Sequence, residues 1–120
     1  MPDRPAGIAA DDLTRAYAYC AELTAEHGRT YNLATRLLPA PRRHAVHALY
    51  GFARHVDDIV DVTAVDDPEA AIRGVDDAHA RLHAALAGDP GPLDETGLVV
   101  RALADTIRLG DAAYVPERGR

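Results

Sequence analysis

One amphipathic pattern between residues 42 and 62 strongly limits the folds open to this chain. A spacing of three or four positions over this length is typical of a helix with one face against a core. The apolar residues of this stripe are Ala45, Leu49, Phe52, Val56, Ile59 and Val60. No stretch of useful length alternates with period two, and the chain is rich in alanine, the best helix former. We therefore predict an all-α protein.

Four further helices are predicted from apolar periods bounded by caps, glycines and prolines. Their approximate spans are 11–27, 30–37, 67–86 and 95–109. The predicted amino-terminal caps are Asp11 or Asp12, Thr30, and an aspartate of the stretch Asp66-Asp67-Pro68-Glu69. Pro39 and Pro41 separate the second helix from the third, because proline is not tolerated in a helix interior.

The length of 120 residues is that of one domain or part of one. Residues 1–10 contain two prolines and a glycine among small side chains, which predicts a flexible leader. Residues 11–109 form the predicted helical domain. Residues 110–120 show no apolar period and are predicted to be a loose tail.

Composition and charge exclude several classes of function. A net charge of -6 provides no basic surface for nucleic acid. The chain has a single cysteine, Cys20, which excludes an intramolecular disulfide and a multi-cysteine zinc site. The absence of disulfides is typical of proteins in a reducing compartment. No signal-peptide core and no apolar run of about 20 residues is present, so we predict a cytoplasmic location.

The stretch HALYGFARHVDDIVDV, residues 47–62, carries the most informative polar pattern. On a helix, Tyr50, Arg54, Asp57 and Asp61 share a narrow sector, and Asp58 lies a little further round. Like charges one turn apart repel by a few tenths of a kcal/mol. Either this sector faces water, or the carboxylates bind a divalent cation such as Mg²⁺, which prefers carboxylate, water and phosphate oxygens.

A second polar group lies upstream in HGRTYNLATRLLP, residues 27–39. Taken singly, each member has an ordinary explanation as a helix cap, a helix-end residue or a surface charge. Together with Tyr50 and Arg54, they make a polar shell suited to a diphosphate near a helix start. The members of this second group are His27, Arg29, Thr30 and Arg36.

The order LLP, R, ALYGFAR and DDIVD over residues 27–61 closely resembles the amino-terminal region of the squalene/phytoene synthase family. ETGLVVRALADTIRL is similar to the family's next helices, so the resemblance covers roughly residues 12–109. The sequence TYNLATRLLP favours the phytoene branch of the family over the squalene branch. The resemblance implies the amino-terminal part of a class I isoprenoid synthase bundle, in which two acidic motifs face each other across a cavity.

The same resemblance implies a Mg²⁺-dependent prenyltransferase, with Mn²⁺ as a substitute. Its substrates would be two geranylgeranyl diphosphates, joined head-to-head through a cyclopropyl intermediate to give phytoene. Asp57 and Asp61 would be metal ligands assisted by Asp58, and Arg54 would act with them in catalysis. Gly28, Arg29, Thr30, Tyr50 and Arg54 would contact the diphosphate. A lipophilic product implies peripheral contact with membranes.

No second DxxxD motif follows residue 61 on an apolar-striped helix. We therefore expect an amino-terminal portion, a disrupted gene product or one part of a split assembly completed by a second chain, with little activity alone. Two alternatives stay open. One is a squalene, dehydrosqualene or hydroxysqualene synthase that uses farnesyl diphosphate, and the other is a non-catalytic helical interaction fragment.

Overall fold

The computed structural model describes residues 8–63 and 65–113, with side chains described up to residue 110. In these residues the chain forms five α-helices and no strand, which confirms the all-α prediction. The helices are α1 (Ala10–His27), α2 (Arg29–Thr35), α3 (Ala40–Thr63), α4 (Pro68–Leu86) and α5 (Glu95–Ala113). None of the described helices is long and apolar enough to cross a membrane.

The start of α4 follows the predicted signal closely. The Asp67 side chain accepts a hydrogen bond of 3.0 Å from the backbone N–H of Ala70, and Pro68 occupies the first turn. Proline is tolerated there because its missing N–H has no partner in the first turn anyway. Pro41 is accommodated in the same way, so α3 begins at Ala40, slightly earlier than predicted.

The other two predicted caps are wrong. The cap position of α1 is Ala9, which makes no side-chain hydrogen bond, and both predicted aspartates lie in the first turn. Their charges still favour the helix there through the helix dipole. Gly28 precedes α2, so Thr30 lies inside that helix and does not cap it.

The core lies between α1, α3 and α5, with α4 packed on α3 and α5. It is built from small and medium apolar residues, and α5 contributes more of the fully buried ones than any other described helix. Those of α5 are Val99, Val100, Ala102 and Ala104. Small side chains let helix axes approach closely: a Cβ added at Gly51 of α3 would lie 2.6 Å from Sγ of Cys20 on α1.

The buried face of α3 coincides only in part with the predicted apolar stripe. Phe52 of the stripe packs against both clusters of the core, whereas Leu49 is 56% exposed and Val60 is 43% exposed. The buried residues of α3 are His47, Ala48 and Gly51, because small residues allow α3 to approach α1 closely. The period therefore predicted the helix correctly and its covered face only in part.

The predicted leader and tail overlap only in part with the described residues. Residues 1–7 and 114–120 lie outside them. Within the described part, Ile8 is buried in the core beside Leu13 and Ala85, because an apolar side chain just before α1 reaches the end of the core. Helix α5 continues to Ala113, four residues beyond the predicted end at Leu109. The division into leader, domain and tail stays a prediction.

Candidate active site

The acidic stretch lies in the last third of α3, as the sequence predicts. Asp57 and Asp61 are exposed, and Asp58 is partly buried. Four residues of helix separate Asp57 from Asp61, which is a rise of about 6 Å along the axis. Within the described residues neither of these two carboxylates forms an ion pair or a hydrogen bond. They are the carboxylates of this stretch that stay open to a ligand.

Arg54 is paired with Asp58, one turn further along α3. Its Nη2 atom lies 2.8 Å from Oδ1 of Asp58. The guanidinium therefore neutralises the one carboxylate that lies off the main sector and leaves the other two unpaired. Nε of Arg54 is a buried donor with no acceptor among the described residues, but this also holds for Arg81 and Arg101, so it does not single out Arg54.

Tyr50 contacts the junction between α1 and α2. A Cβ added at Gly28 would lie 2.8 Å from Cε2 and Cζ of the Tyr50 ring, so the absence of a side chain at Gly28 makes room for that ring. The ring of Tyr31 lies against it, with 5.7 Å between the ring centroids. The structure thus brings Gly28 together with Tyr50 across two helices. Arg29 and Thr30 are exposed at the start of α2, beside this contact.

The other upstream residues are not all part of one shell. Nε2 of His27 lies 3.4 Å from Oε1 of its neighbour Glu26. Arg36 is exposed just after the end of α2. His47, the first residue of the stretch HALYGFARHVDDIVDV, is buried, with Nε2 3.5 Å from Oγ1 of Thr35. Burial lowers the pKa of His47, which favours the neutral ring.

The sequence analysis did not identify three residues near the acidic stretch: Tyr19, His55 and Thr96. Burial, followed by the charges of Glu95 and Asp58, raises the pKa of Tyr19 on α1. Nε2 of His55 lies 2.7 Å from Oγ1 of Thr96. Burial lowers the pKa of His55, although nearby carboxylates oppose the shift. No local pattern links α1 and α5 to α3, so only His55, which stands inside the motif between Arg54 and the aspartates, offered a signal.

The fit of a divalent cation to this face is partial. In the described part of the chain, no group of three or more histidine, cysteine, aspartate or glutamate side chains is close enough to hold a metal ion. Asp58 is turned to Arg54, which leaves Asp57 and Asp61. Two exposed carboxylates suit Mg²⁺, which commonly uses one or two of them and takes its other ligands from water and phosphate oxygens. The residues present therefore fit a Mg²⁺ that arrives with a phosphate.

A cavity of about 1100 Å³ lies elsewhere, between α1, the start of α3 and the end of α5. The Tyr17 hydroxyl donates a 2.8 Å hydrogen bond to Oδ2 of Asp105 there and lies 3.0 Å from Oγ1 of Thr106. The ring of Tyr17 also contacts that of His44, with 5.5 Å between the centroids. None of the predicted metal or diphosphate ligands lines this cavity, so it is not the acid-bordered hollow that the resemblance implies.

The described part of the chain is thus an all-α protein. Its helix α3 carries two unpaired aspartates one turn apart, Asp57 and Asp61, with Arg54 and Tyr50 on the same helix. The model of the Squalene/phytoene synthase family matches residues 24–113, three quarters of the chain, and the chain belongs to that family. No solved structure matches it.

The similar proteins are named phytoene synthases. The chain is 34% identical over 93 residues to the 15-cis-phytoene synthase of Synechococcus elongatus, which is 75% of this chain and 28% of that protein. It is 34% identical over 98 residues to the chloroplastic phytoene synthase of Daucus carota, which is 79% of this chain and 22% of that protein. The chain thus spans about a quarter of the length of these relatives.

Proposed function

We propose that this chain supplies one wall of the active site of a phytoene synthase-type prenyltransferase. The observation that carries the proposal is that α3 keeps Asp57 and Asp61 exposed and unpaired while Arg54 and Tyr50 lie on the same helix beside them. Membership of the family and the names of the relatives support this class of reaction. The substrates proposed are two molecules of geranylgeranyl diphosphate.

Each residue has a role in the proposal. Asp57 and Asp61 hold Mg²⁺, for which Mn²⁺ can substitute, and Asp58 positions Arg54 through their ion pair. The metal, when bound, withdraws negative charge from the departing diphosphate. Arg54 and the Tyr50 hydroxyl donate hydrogen bonds to the diphosphate oxygens. Gly28, Arg29 and Thr30 lie next to Tyr50 and contact the same group.

The chemistry places two demands on the protein. The C–O bond of the first substrate breaks, its electron pair leaves with the diphosphate, and the allylic cation is attacked by the double bond of the second substrate. Loss of a proton then gives the cyclopropyl intermediate, whose own diphosphate leaves in the next step. The residues of α3 must bind the departing anion, and an apolar wall must keep water from the cation.

The surface of the chain supports a partner that completes such a wall. Large apolar side chains remain exposed on α2 and α3 and in the segments before α3 and before α4. We propose that they belong to an interface, as large exposed apolar surfaces commonly do. Examples are Leu37 at 88% and Val65 at 82% exposure. We propose that further helices, carrying the facing acidic motif, cover these residues. The lipophilic product would bring the completed bundle to a membrane surface.

A hybrid protein tests the function directly. The region of the Synechococcus elongatus relative that matches this chain is replaced by this chain's residues, and products are analysed after incubation with Mg²⁺ and geranylgeranyl diphosphate. We expect phytoene from the hybrid, and little or none from the 120-residue chain alone. Asp57→Asn with Asp61→Asn should reduce the rate roughly a hundred-fold or more, the scale of losing stabilisation of developing charge.

The matched control is Asp76→Asn with Asp77→Asn, which removes two exposed charges from α4 and should leave the rate unchanged. A hybrid that makes phytoene equally well with and without Asp57 and Asp61 would contradict the proposal. A parallel incubation with farnesyl diphosphate shows whether this chain's residues alter the substrate preference of the hybrid, and formation of squalene-type products in place of phytoene would favour the alternative branch.

A further inference from the structure

Two histidines on α4, His79 and His83, lie in direct contact. Nε2 of His79 is 3.2 Å from Nε2 of His83. The ring centroids are 4.6 Å apart, and the ring planes are nearly perpendicular, at 87°. Both side chains are exposed on the outer side of α4. Their four-residue spacing places them on one face of the helix, one turn apart.

The distance between the two nitrogens matches the bite of a metal chelate. Imidazole nitrogens bind Zn²⁺ at about 2.0–2.1 Å. If the two nitrogens stay 3.2 Å apart, the N–Zn–N angle at the ion is roughly 100°. This angle lies between the roughly 90° of octahedral and the roughly 109° of tetrahedral coordination. In the metal-free chain this contact has the length of a hydrogen bond, which the ion would replace: rotation of the rings aims both nitrogen lone pairs at the ion, while the helix backbone keeps the side chains one turn apart.

The chemistry of the pair selects the class of ion. Neutral imidazole suits Zn²⁺, Ni²⁺ and Cu²⁺, whereas Mg²⁺ prefers oxygen ligands. Among the described residues, no third histidine, cysteine, aspartate or glutamate is close enough to complete a protein-only site. The remaining positions around the ion are therefore filled by water or by a ligand from another molecule, and the ion stays exchangeable.

We propose that His79 and His83 form a two-ligand surface site for a divalent transition-metal ion of the Zn²⁺, Ni²⁺ and Cu²⁺ class. The site lies on α4, beyond the point where that helix meets α3: a Cβ added at Gly74 would lie 2.8 Å from Cγ2 of Ile59, and His79 follows more than one turn later. It shares no residue with the aspartates of α3, so it stands whether or not the proposed synthase function is correct.

Calorimetric titration of the 120-residue chain with Zn²⁺ tests the site. The titration is run at a pH of about 7.5, because metal ligation requires the neutral imidazole and metal binding is therefore favoured by a mildly alkaline solution. The thiol of Cys20 does not compete, since burial raises its pKa to about 12. We expect one strong Zn²⁺ equivalent per chain, unaffected by an excess of Mg²⁺. His79→Gln or His83→Gln should weaken binding about ten-fold or more.

Two controls make the result specific. His27→Gln removes an exposed histidine with no imidazole one turn away and should leave Zn²⁺ binding unchanged. Ala80→His with His83→Gln keeps the number of histidines but gives neighbours that do not face each other, and should bind as weakly as His83→Gln. Absence of Zn²⁺ binding, or equal binding by the parent and by His83→Gln, would overturn the proposal.

Discussion

At the scale of single residues, the contact between Gly51 and Cys20 sets how closely α3 approaches α1. A Cβ at Gly51 would lie 2.6 Å from Sγ and 2.9 Å from Cβ of Cys20, and Cys20 is fully buried. Real Cβ atoms do not approach other atoms so closely, so any side chain at Gly51 must push the helices apart or move the thiol. Since α3 carries the proposed ligands and α1 carries Tyr19, this contact also fixes their relative positions.

Gly51→Ala should therefore destabilise the fold, although alanine is the better helix former. Overpacking of a filled core costs about 1–3 kcal/mol. The control is Gly110→Ala in α5, where nothing lies within 4 Å of the added Cβ, so only the gain in helix propensity of up to about 1 kcal/mol remains.

Urea unfolding of both variants measures the difference. We expect the free energy of unfolding of Gly51→Ala to lie below that of Gly110→Ala by about 1–3 kcal/mol. Equal stabilities would show that α1 and α3 are not in the close contact described.

The residues of the candidate site were predictable where they lie in one helix and not where helices meet. Periodicity placed Tyr50, Arg54, Asp57 and Asp61 along α3 correctly, since a helix fixes the angle between its own residues. The four-residue spacing permits the pair of Arg54 with Asp58, but the three-residue spacing equally permits a pair with Asp57, so the choice depends on rotamers. The approach of Tyr50 to Gly28 depends on packing between helices and is not encoded in a local spacing. The metal and diphosphate roles themselves stay predictions.

At the scale of elements, the start of α5 is fixed by Asp94 and its two partners. Oδ1 of Asp94 accepts a 2.7 Å hydrogen bond from the backbone N–H of Gly97, as an amino-terminal cap does. The guanidinium of Arg81 on α4 donates to both carboxylate oxygens, at 2.8 and 3.2 Å. The hydrogen bond from Arg81 is the main reason that the pKa of Asp94 falls to about 2.

This ion pair makes part of the stability depend on pH. Because the pKa of Asp94 in the folded chain lies below its unfolded value of about 3.9, the stabilisation is present above that pH and is lost as the pH falls to about 2. Asp94 is 56% exposed, so solvent screening limits the effect to roughly 0.2–1 kcal/mol. Asp94→Asn keeps a good cap but removes the charge.

We expect Asp94→Asn to lose less free energy of unfolding than the parent between about pH 5 and about pH 2, by roughly 0.2–1 kcal/mol. Denaturant unfolding at the two pH values measures this. Asp66→Asn is the control, because Asp66 is exposed and has no ion pair among the described residues. If Asp94→Asn and Asp66→Asn lose as much as the parent, the link between Arg81 and Asp94 contributes nothing.

The helices themselves were easier to predict than their packing. Local signals gave the cap and proline of α4 and the break before α3, because those signals act within a few residues. The covered face of α3 was predicted only in part: Phe52 packs on the core as expected, but Gly51 and Ala48 make the close contact, and Leu49 and Val60 stay exposed. Hydrophobic periodicity measures what a face is able to bury, and tertiary contacts decide what it does bury.

At the scale of the whole molecule, apolar surface and unpaired carboxylates are left open together. α3 carries both the half-exposed Leu49 and Val60 and the exposed Asp57 and Asp61. The family match covers three quarters of the chain, while the chain spans only about a quarter of the length of its relatives. Both open surfaces are what we expect of one wall of a larger helical bundle. A surface that merely keeps a fragment soluble needs the charges but not the apolar side chains.

The most direct measurement is thermal unfolding of the 120-residue chain with Mg²⁺ and inorganic pyrophosphate, added separately and together. A ligand that binds only the folded state raises its stability, by about 1.4 kcal/mol at ten times Kd, which is a Tm increase of about 3–8 °C. We predict that the increase needs both additions, disappears in Asp57→Asn with Asp61→Asn, and persists in Asp76→Asn with Asp77→Asn. No increase, or one that survives the loss of Asp57 and Asp61, would contradict the assignment of this face to a metal-bound diphosphate.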